Sequence, residues 1–262
     1  MLSAAQIAQY NERGYVVPDY RLDEATLANI RRDHDRLLAR YPDFRDNCPA
    51  LLSYDLAFLN YARDPRILDM AEQLIGPDIA LWNMSFFAKP AINGKKTPFH
   101  QDGEYWPIRP LATCTVWIAV DEATVENGCL RYLPGSHKAR RLMAHAQKDD
   151  PNYTLQQELQ PSEYNDDDAE DLILEAGQMA FHDIFLAHGS EINASSKPRR
   201  GMTLRLMPTS SHFDRDVADD MAGQRGGPSL SRLSLFLLRG KDLSGHNDFR
   251  LRLPAISDQA AE

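Results

Sequence analysis

Cysteine is scarce, with Cys48, Cys114 and Cys129 the only three in the chain. Their odd number argues against a disulfide framework, and no two stand close enough for a C-x-x-C metal knuckle or redox pair. That scarcity predicts a reducing, cytoplasmic setting. Long apolar runs are lacking as well. No stretch approaches the ~18 to 20 uninterrupted apolar residues that a membrane span needs, and the opening "MLSAAQIAQYNERGY" has no basic segment followed by an apolar one. A membrane protein is therefore not expected. Nor is there an excess of positive charge: 38 Asp and Glu stand against 29 Lys and Arg, for a net charge of −9. A nucleic-acid surface leans on Lys and Arg to neutralise phosphates, so none is expected, and a small molecule is the default partner. No internal repeat is present. What the chain does have is 262 residues, 43% of them hydrophobic, enough to bury one large core. A single domain over 1–262 is expected; the oligomeric state leaves no mark.

The first third reads as helical, over about 1–78. "SAAQ" at Ser3 to Gln6 is a capping-box pattern, and the helix that it starts should end near Gly14. Leu27, Ile30, His34, Leu37 and Tyr41 fall at helical spacing, which predicts a second helix from about Asp23 to Tyr41. Asp64 before Pro65 supplies an N-cap and a first-turn proline, and Gly76-Pro77 stops the chain after "RILDMAEQLI". From Ile79 the texture changes. "IALWNMSFFAKP", "ATCTVWIAVDEA", "GCLRYLPGSH", "LILEAGQMAFHD" and "GMTLRLMP" are short β-branched and aromatic runs separated by Gly, Pro and Asn turns. Such spacing predicts an antiparallel sandwich or barrel over about 79–240, so the fold class is mainly β with N-terminal helices. A polar insert is expected near 140–171, with "NDDDAED" as a solvated loop. Asp214 to Pro228 reads as a mobile loop before a last strand, "LSRLSLFLLRG", and the end of the chain reads as unstructured.

The chemistry centres on "TPFHQDGEYWPIRP", Thr97 to Pro110. In a strand, residues i and i+2 face the same way, so His100 and Asp102 present an imidazole and a carboxylate to one point. Two further His-x-Asp triplets, at His212 and His246, show how little the pattern proves alone. A 2-His-1-carboxylate iron site needs a second histidine downstream, and it leaves positions open for oxygen and a bidentate co-substrate. A dicarboxylate such as 2-oxoglutarate also calls for an arginine, whose planar fork matches a carboxylate. His246 has no histidine after it. His212 has only His246, followed by Arg250 and Arg252 near the chain end. His100 has His188, at the end of the strand-like run "FHDIFLAHGS", with Arg199 and Arg200 eleven and twelve residues later. Only this triplet finds all its partners, and the spacing leaves the choice between the two arginines open. His182, on the same run, is read as lying behind the ligands or in the core, and His137 as tying down a turn. Tyr105, Trp106 and Arg109 are read either as packing or as the rim of a substrate pocket; Glu104 and Arg109 follow the first ligands closely enough to reach a substrate.

The stretches "HQDGEYWPIRP", "TVWIAVDEATVENGCLRYLPGSHK" and "HGSEINASSKPRRG" resemble the phytanoyl-CoA dioxygenase family of iron(II)- and 2-oxoglutarate-dependent oxygenases. The likeness covers about Leu81 to Leu206, and "ENGCLRYLPGSHK" is far more specific than a His-x-Asp triplet. It implies a double-stranded β-helix, a cupin-like jelly roll, with His100, Asp102 and His188 as iron ligands. It also implies that Arg199 binds the far carboxylate of 2-oxoglutarate and Ser190 adds a hydroxyl, with Trp117 and Ser85 as further candidates for co-substrate contact. The expected activity is hydroxylation of an unactivated C–H bond with release of succinate and CO2. Related halogenases lack the carboxylate that Asp102 supplies. The acidic chain, with no basic cluster for coenzyme A phosphates, points to a small polar substrate. The alternative is a β-helix module that holds a metal or small ligand without oxidising anything.

Overall fold

Three N-terminal helices form where the sequence marks their ends. In the computed structural model, which describes residues 1–225 and 229–252, α1 spans Ala4–Arg13. The Ser3 hydroxyl accepts the Gln6 N–H at 3.2 Å while the Gln6 side chain accepts the Ser3 N–H at 2.9 Å, so two orphan donors are satisfied reciprocally. Gly14, at φ 85°, closes the helix. Helix α2 (Glu24–Arg40) is capped by Asp23, which accepts the Thr26 N–H at 2.7 Å, and buries Leu27, Ile30, His34 and Leu37 along one stripe. Helix α3 (Pro65–Ile75) is capped by Asp64 and ends at Gly76. No helix among the described residues is long and apolar enough to cross a membrane.

The strands run in chain order as β1 (Tyr15–Val16), β2 (Asn47–Cys48), β3 (Ile79–Lys89), β4 (Thr97–His100) and β5 (Ile108–Arg109). They continue as β6 (Cys114–Ala119), β7 (Leu130–Tyr132), β8 (His145–Gln147), β9 (Gln157–Leu159) and β10 (Glu170–Leu172). The last are β11 (Met179–Asp183), β12 (His188–Ser190), β13 (Arg199–Pro208), β14 (His212–Phe213) and β15 (Phe236–Arg239). A larger antiparallel sheet has the order β1-β11-β6-β13-β3-β15, with β2 also on β3; a smaller one has the order β10-β7-β12-β4. This is the double-stranded β-helix, mainly β with N-terminal helices. One face of the larger sheet packs on the helices through Val116, Ile118, Met202, Leu204 and Phe86, which join Leu27, Ile30 and Leu37 in one core. Alternation sends their neighbours the other way. One row of cross-strand partners on that inner face is Asn83, Arg205, Thr115 and His182; the next is Ser85, Thr203 and Trp117.

Two expectations need correcting. "FHDIFLAHGS" is not one strand: Asp183 accepts the Phe185 N–H at 2.8 Å, turns the chain, and delivers β11 and β12 to different sheets. His182 and His188 therefore face each other from opposite sheets rather than along one strand. The stretch read as a loop from Asp214 is a helix, α4 (Arg215–Arg225), with Asp214 accepting the Val217 N–H at 3.0 Å. Its glycines and proline outweighed Val217, Ala218, Met221 and Ala222, whose spacing is helical; residues 226–228 lie outside the described residues, as does the expected unstructured end from 253 onward. Within 140–171, β8 and β9 form a hairpin, and Asp166–Asp168 is an exposed 3-10 turn.

His34 is buried in the core against Phe86, with ring centroids 4.1 Å apart and neither nitrogen hydrogen-bonded. Burial, then the charge of Arg200, pushes its pKa down to about 4. In the unfolded chain it titrates near ~6.5, so the unfolded state gains a proton first as the pH falls. The stabilisation is whole above that pH and is lost between there and the folded value. Urea midpoints at about pH 7.5 and about pH 5 should therefore differ less for His34→Leu than for the parent; an equal acid loss in both would contradict this.

Candidate active site

Strand β4 ends at His100, and Gln101 stays extended, so His100 and Asp102 point to one side before the chain turns into the 3-10 segment Asp102–Glu104. Gln101 anchors that turn from behind: its amide donates to Phe185 O at 2.7 Å and its carbonyl accepts the Met143 N–H at 2.7 Å. His188 opens β12 directly opposite His100 in the antiparallel register. The ligand atoms of His100, Asp102 and His188 all lie within 4.8 Å of one another, and all three residues are buried.

The hydrogen bonds leave these groups able to bind a metal. His100 Nδ1 donates to Pro98 O at 2.8 Å, and His188 Nδ1 donates to Leu186 O at 2.9 Å. A carbonyl can only accept, so each Nδ1 carries the proton and each Nε2 offers its lone pair. Asp102 Oδ2 accepts from Thr115 Oγ1 at 3.2 Å and from His182 Nε2 at 3.3 Å, while Oδ1 faces His100 Nε2 at 3.8 Å. His182 Nδ1 in turn accepts from the Tyr132 hydroxyl at 2.9 Å. Both His182 nitrogens are thus engaged, which leaves it orienting Asp102. Burial alone would raise the Asp102 pKa, but the adjoining imidazoles of His100, His182 and His188 outweigh it, holding the carboxyl well below its ordinary range. Burial, then the neighbouring His100, pushes His188 down to about 3. An ionised carboxylate beside neutral imidazole is the protonation state that a divalent metal requires.

Arg199, at the start of β13, is 1% exposed. Its guanidinium lies over the Trp117 ring, 5.3 Å from the centroid, and Nη1 donates to Phe87 O at 3.0 Å; Nε has no partner. Among the described residues no carboxylate pairs with it, and burial pushes its pKa down to about 10. An uncompensated buried charge is strongly unfavourable, so this guanidinium calls for an anion. Gly201 makes the arrangement possible, because a Cβ there would stand 2.2 Å from the Trp117 ring. Arg200, by contrast, faces outward and pairs with Asp121 at 2.7 Å and Asp35 at 3.2 Å.

An inner cavity joins the triad to Arg199 and is lined also by Ser190, Trp117, Thr97 and Thr203. An outer cavity of about 270 Å³ shares Phe87, His100, Asp102 and Arg205 with it, and adds Tyr105, Trp106, Leu155 and the α4 residues Ala218, Met221 and Ala222. Ser85 lines neither; its hydroxyl donates to Pro49 O at 3.1 Å. Glu104 turns toward His145, at 3.9 Å, Arg109 donates to Trp106 O and Ile108 O, and neither lines the inner or the outer cavity. His137 donates to Asn11 O at 3.1 Å and ties its turn to α1. Sequence reading missed Thr115, Thr203 and Arg205. The signal was present: in "RRGMTLRL" alternation places Arg199, Gly201, Thr203 and Arg205 on one face.

The family described as phytanoyl-CoA dioxygenase (PhyH) matches residues 1–201. The chain belongs to the phytanoyl-CoA dioxygenase family. Peroxisomal phytanoyl-CoA dioxygenase of Bos taurus is 25% identical over 94% of this chain and 83% of its own. Among solved structures, ThoJ, a non-heme monooxygenase in its apo form, superposes with a TM-score of 0.72 at 23% identity, over 97% of this chain and 91% of that one. EvdO2 from Micromonospora carbonacea var. aurantiaca, complexed with 2-oxoglutarate, gives a TM-score of 0.68 at 23% identity, over 79% and 91%. The family is one of iron(II)- and 2-oxoglutarate-dependent oxygenases, and the donor set here fits both groups: two lone-pair nitrogens, one ionised carboxylate, and a buried guanidinium without a counter-ion.

Thr115 donates to the Asp102 carboxylate at 3.2 Å and is not itself one of the three candidate ligands. Thr115→Val should lower affinity for Fe(II) by about tenfold, the usual cost of removing a group that orients a ligand. Anaerobic calorimetry measures this, and unchanged affinity would contradict the role given to Thr115.

Proposed function

We propose that this protein hydroxylates an unactivated C–H bond of a small molecule in an iron(II)- and 2-oxoglutarate-dependent reaction that releases succinate and CO2. The observation that carries the reading is the pairing of two features in one inner cavity: a His-Asp-His triad at one end and an uncompensated buried guanidinium at the other. His100, Asp102 and His188 would hold the iron. When bound, the metal and its co-substrate supply the oxidising power from O2.

The chain's own residues bind, orient and shield. Arg199 would take the distal carboxylate of 2-oxoglutarate in its planar fork, held in place by the Trp117 face and the Phe87 carbonyl, with the Ser190 hydroxyl beside it. Arg200 is unsuited to that role because Asp121 and Asp35 already neutralise it. Asp102 keeps a carboxylate in the third ligand position, which favours hydroxylation over halogenation. Substrate would enter by the outer cavity, where Tyr105 lines the wall and its hydroxyl donates to Gln157 O at 3.0 Å. A volume of about 270 Å³ suits a small molecule better than a whole coenzyme A thioester. The three cysteines are buried and unpaired, in keeping with a reducing, cytoplasmic setting.

Anaerobic titration with Fe(II) and 2-oxoglutarate should develop a weak visible charge-transfer band in the parent. A binding module without oxidative chemistry would give none. Arg199→Met should raise the 2-oxoglutarate concentration for half-saturation by about a hundredfold, in the range measured when one partner of a buried charge pair is removed. Wild-type saturation in that variant would sink the assignment.

A further inference from the structure

Arg205 is the one cation among the described residues of the outer cavity wall, and the triad and Arg199 leave it unexplained. It lies six residues beyond Arg199 on the inward face of β13, cross-strand from Thr115 and Asn83. Only 8% of it is exposed, and it lines both cavities where they meet. Its guanidinium carbon stands 4.8 Å from the centroid of Trp106, 5.5 Å from Trp82 and 5.9 Å from Phe87. Aromatic rings therefore hold the cation in place without neutralising it. Among the described residues it has neither an ion pair nor a hydrogen-bond acceptor. The carboxylate whose field reaches it is Asp102, which already serves the triad and is held by Thr115 and His182.

We infer that Arg205 binds the carboxylate of an anionic substrate, so that the substrate class is a small carboxylic acid with an apolar, ring-sized body. This rests on the oxygenase reading and narrows it. The aromatic rings hold the cation without accepting its N–H groups in ordinary hydrogen bonds, and the guanidinium fork matches a planar carboxylate with two parallel hydrogen bonds. The remaining wall of the cavity, Pro49, Leu155, Ala218, Met221, Ala222 and Leu230, offers apolar surface for the body. Arg205 lines the same cavities as Asp102 and His100, and the field of Asp102 reaches it, so an acid anchored there would lie near the metal position. The expectation of a polar substrate is thus narrowed to a molecule with one charged end.

The test pairs cyclohexanecarboxylate, phenylacetate and indole-3-acetate with their neutral primary amides. Binding is read by tryptophan fluorescence, since Trp82 and Trp106 flank Arg205, and in parallel by perturbation of the Fe(II)·2-oxoglutarate band. In the parent at least one acid should bind about tenfold or more tighter than its amide, as expected for charge-assisted hydrogen bonds. Arg205→Gln should bring that ratio to about one, and Arg205→Lys, which keeps the charge and loses the fork, should restore part of it. The inference is overturned if the parent binds amides as well as acids, or if Arg205→Gln keeps the preference for acids. It is equally overturned if Arg205→Gln chiefly weakens 2-oxoglutarate, which would put the residue on the co-substrate. A parent protein with no charge-transfer band would count against the oxygenase reading alone, because fluorescence still reports the acid-to-amide ratio without iron.

Discussion

The pairing of β4 with β12 in the smaller sheet is the constraint on which everything else depends. It sets His188 opposite His100, with ring centroids 4.3 Å apart, although the two are far apart in the chain. Shifting that register by one residue would turn one imidazole to the other face of the sheet. Each ring is then locked by a carbonyl two residues back in its own chain, so the backbone that forms the sheet also fixes which nitrogen faces the centre.

The larger sheet answers from across the cavity. Its inner face carries Thr115 and His182, which orient Asp102, together with Arg199 and Arg205, two cations that pair with no carboxylate among the described residues. Burying such groups opposes folding, and the apolar packing between the other face of this sheet and the N-terminal helices offsets it. The site is thus arranged as a set of unmet demands: lone pairs and a carboxylate at one point, and two buried guanidinium groups on the wall of the same cavity. A divalent metal, a diacid and a second anion would meet all of them.

Much of this was legible in the sequence, for identifiable physical reasons. Helix caps such as Ser3 and Asp64 are local, and the structure places helices where they predict. His100, Asp102 and His188, which the structure brings together, were singled out because a downstream histidine and arginine had to exist, and the family texture chose Arg199, which the structure shows buried while Arg200 is paired outside. The break between His182 and His188 was hidden because Asp183 turns the chain inside an apolar run. Helix α4 was hidden by the glycines and proline of "GQRGGP", which begins within its last turn. Ser85 was named for its place on a strand that lines the pocket in the family, but Pro49, in the turn after β2, accepts its hydroxyl. Arg205 went unnoticed because its meaning lies in what is not beside it, and only three-dimensional neighbours reveal that.

The central claim is that one ion is shared by the side chains at 100, 102 and 188, with a diacid running from it to Arg199. A crystal structure grown without oxygen, with Mn(II) replacing iron and 2-oxoglutarate present, tests this most directly through the anomalous difference map at the manganese edge. The account predicts a single strong peak in contact with both Nε2 atoms and the Asp102 carboxylate, and continuous density from it to the Arg199 guanidinium. A peak elsewhere, or density that leaves Arg199 untouched, would contradict it.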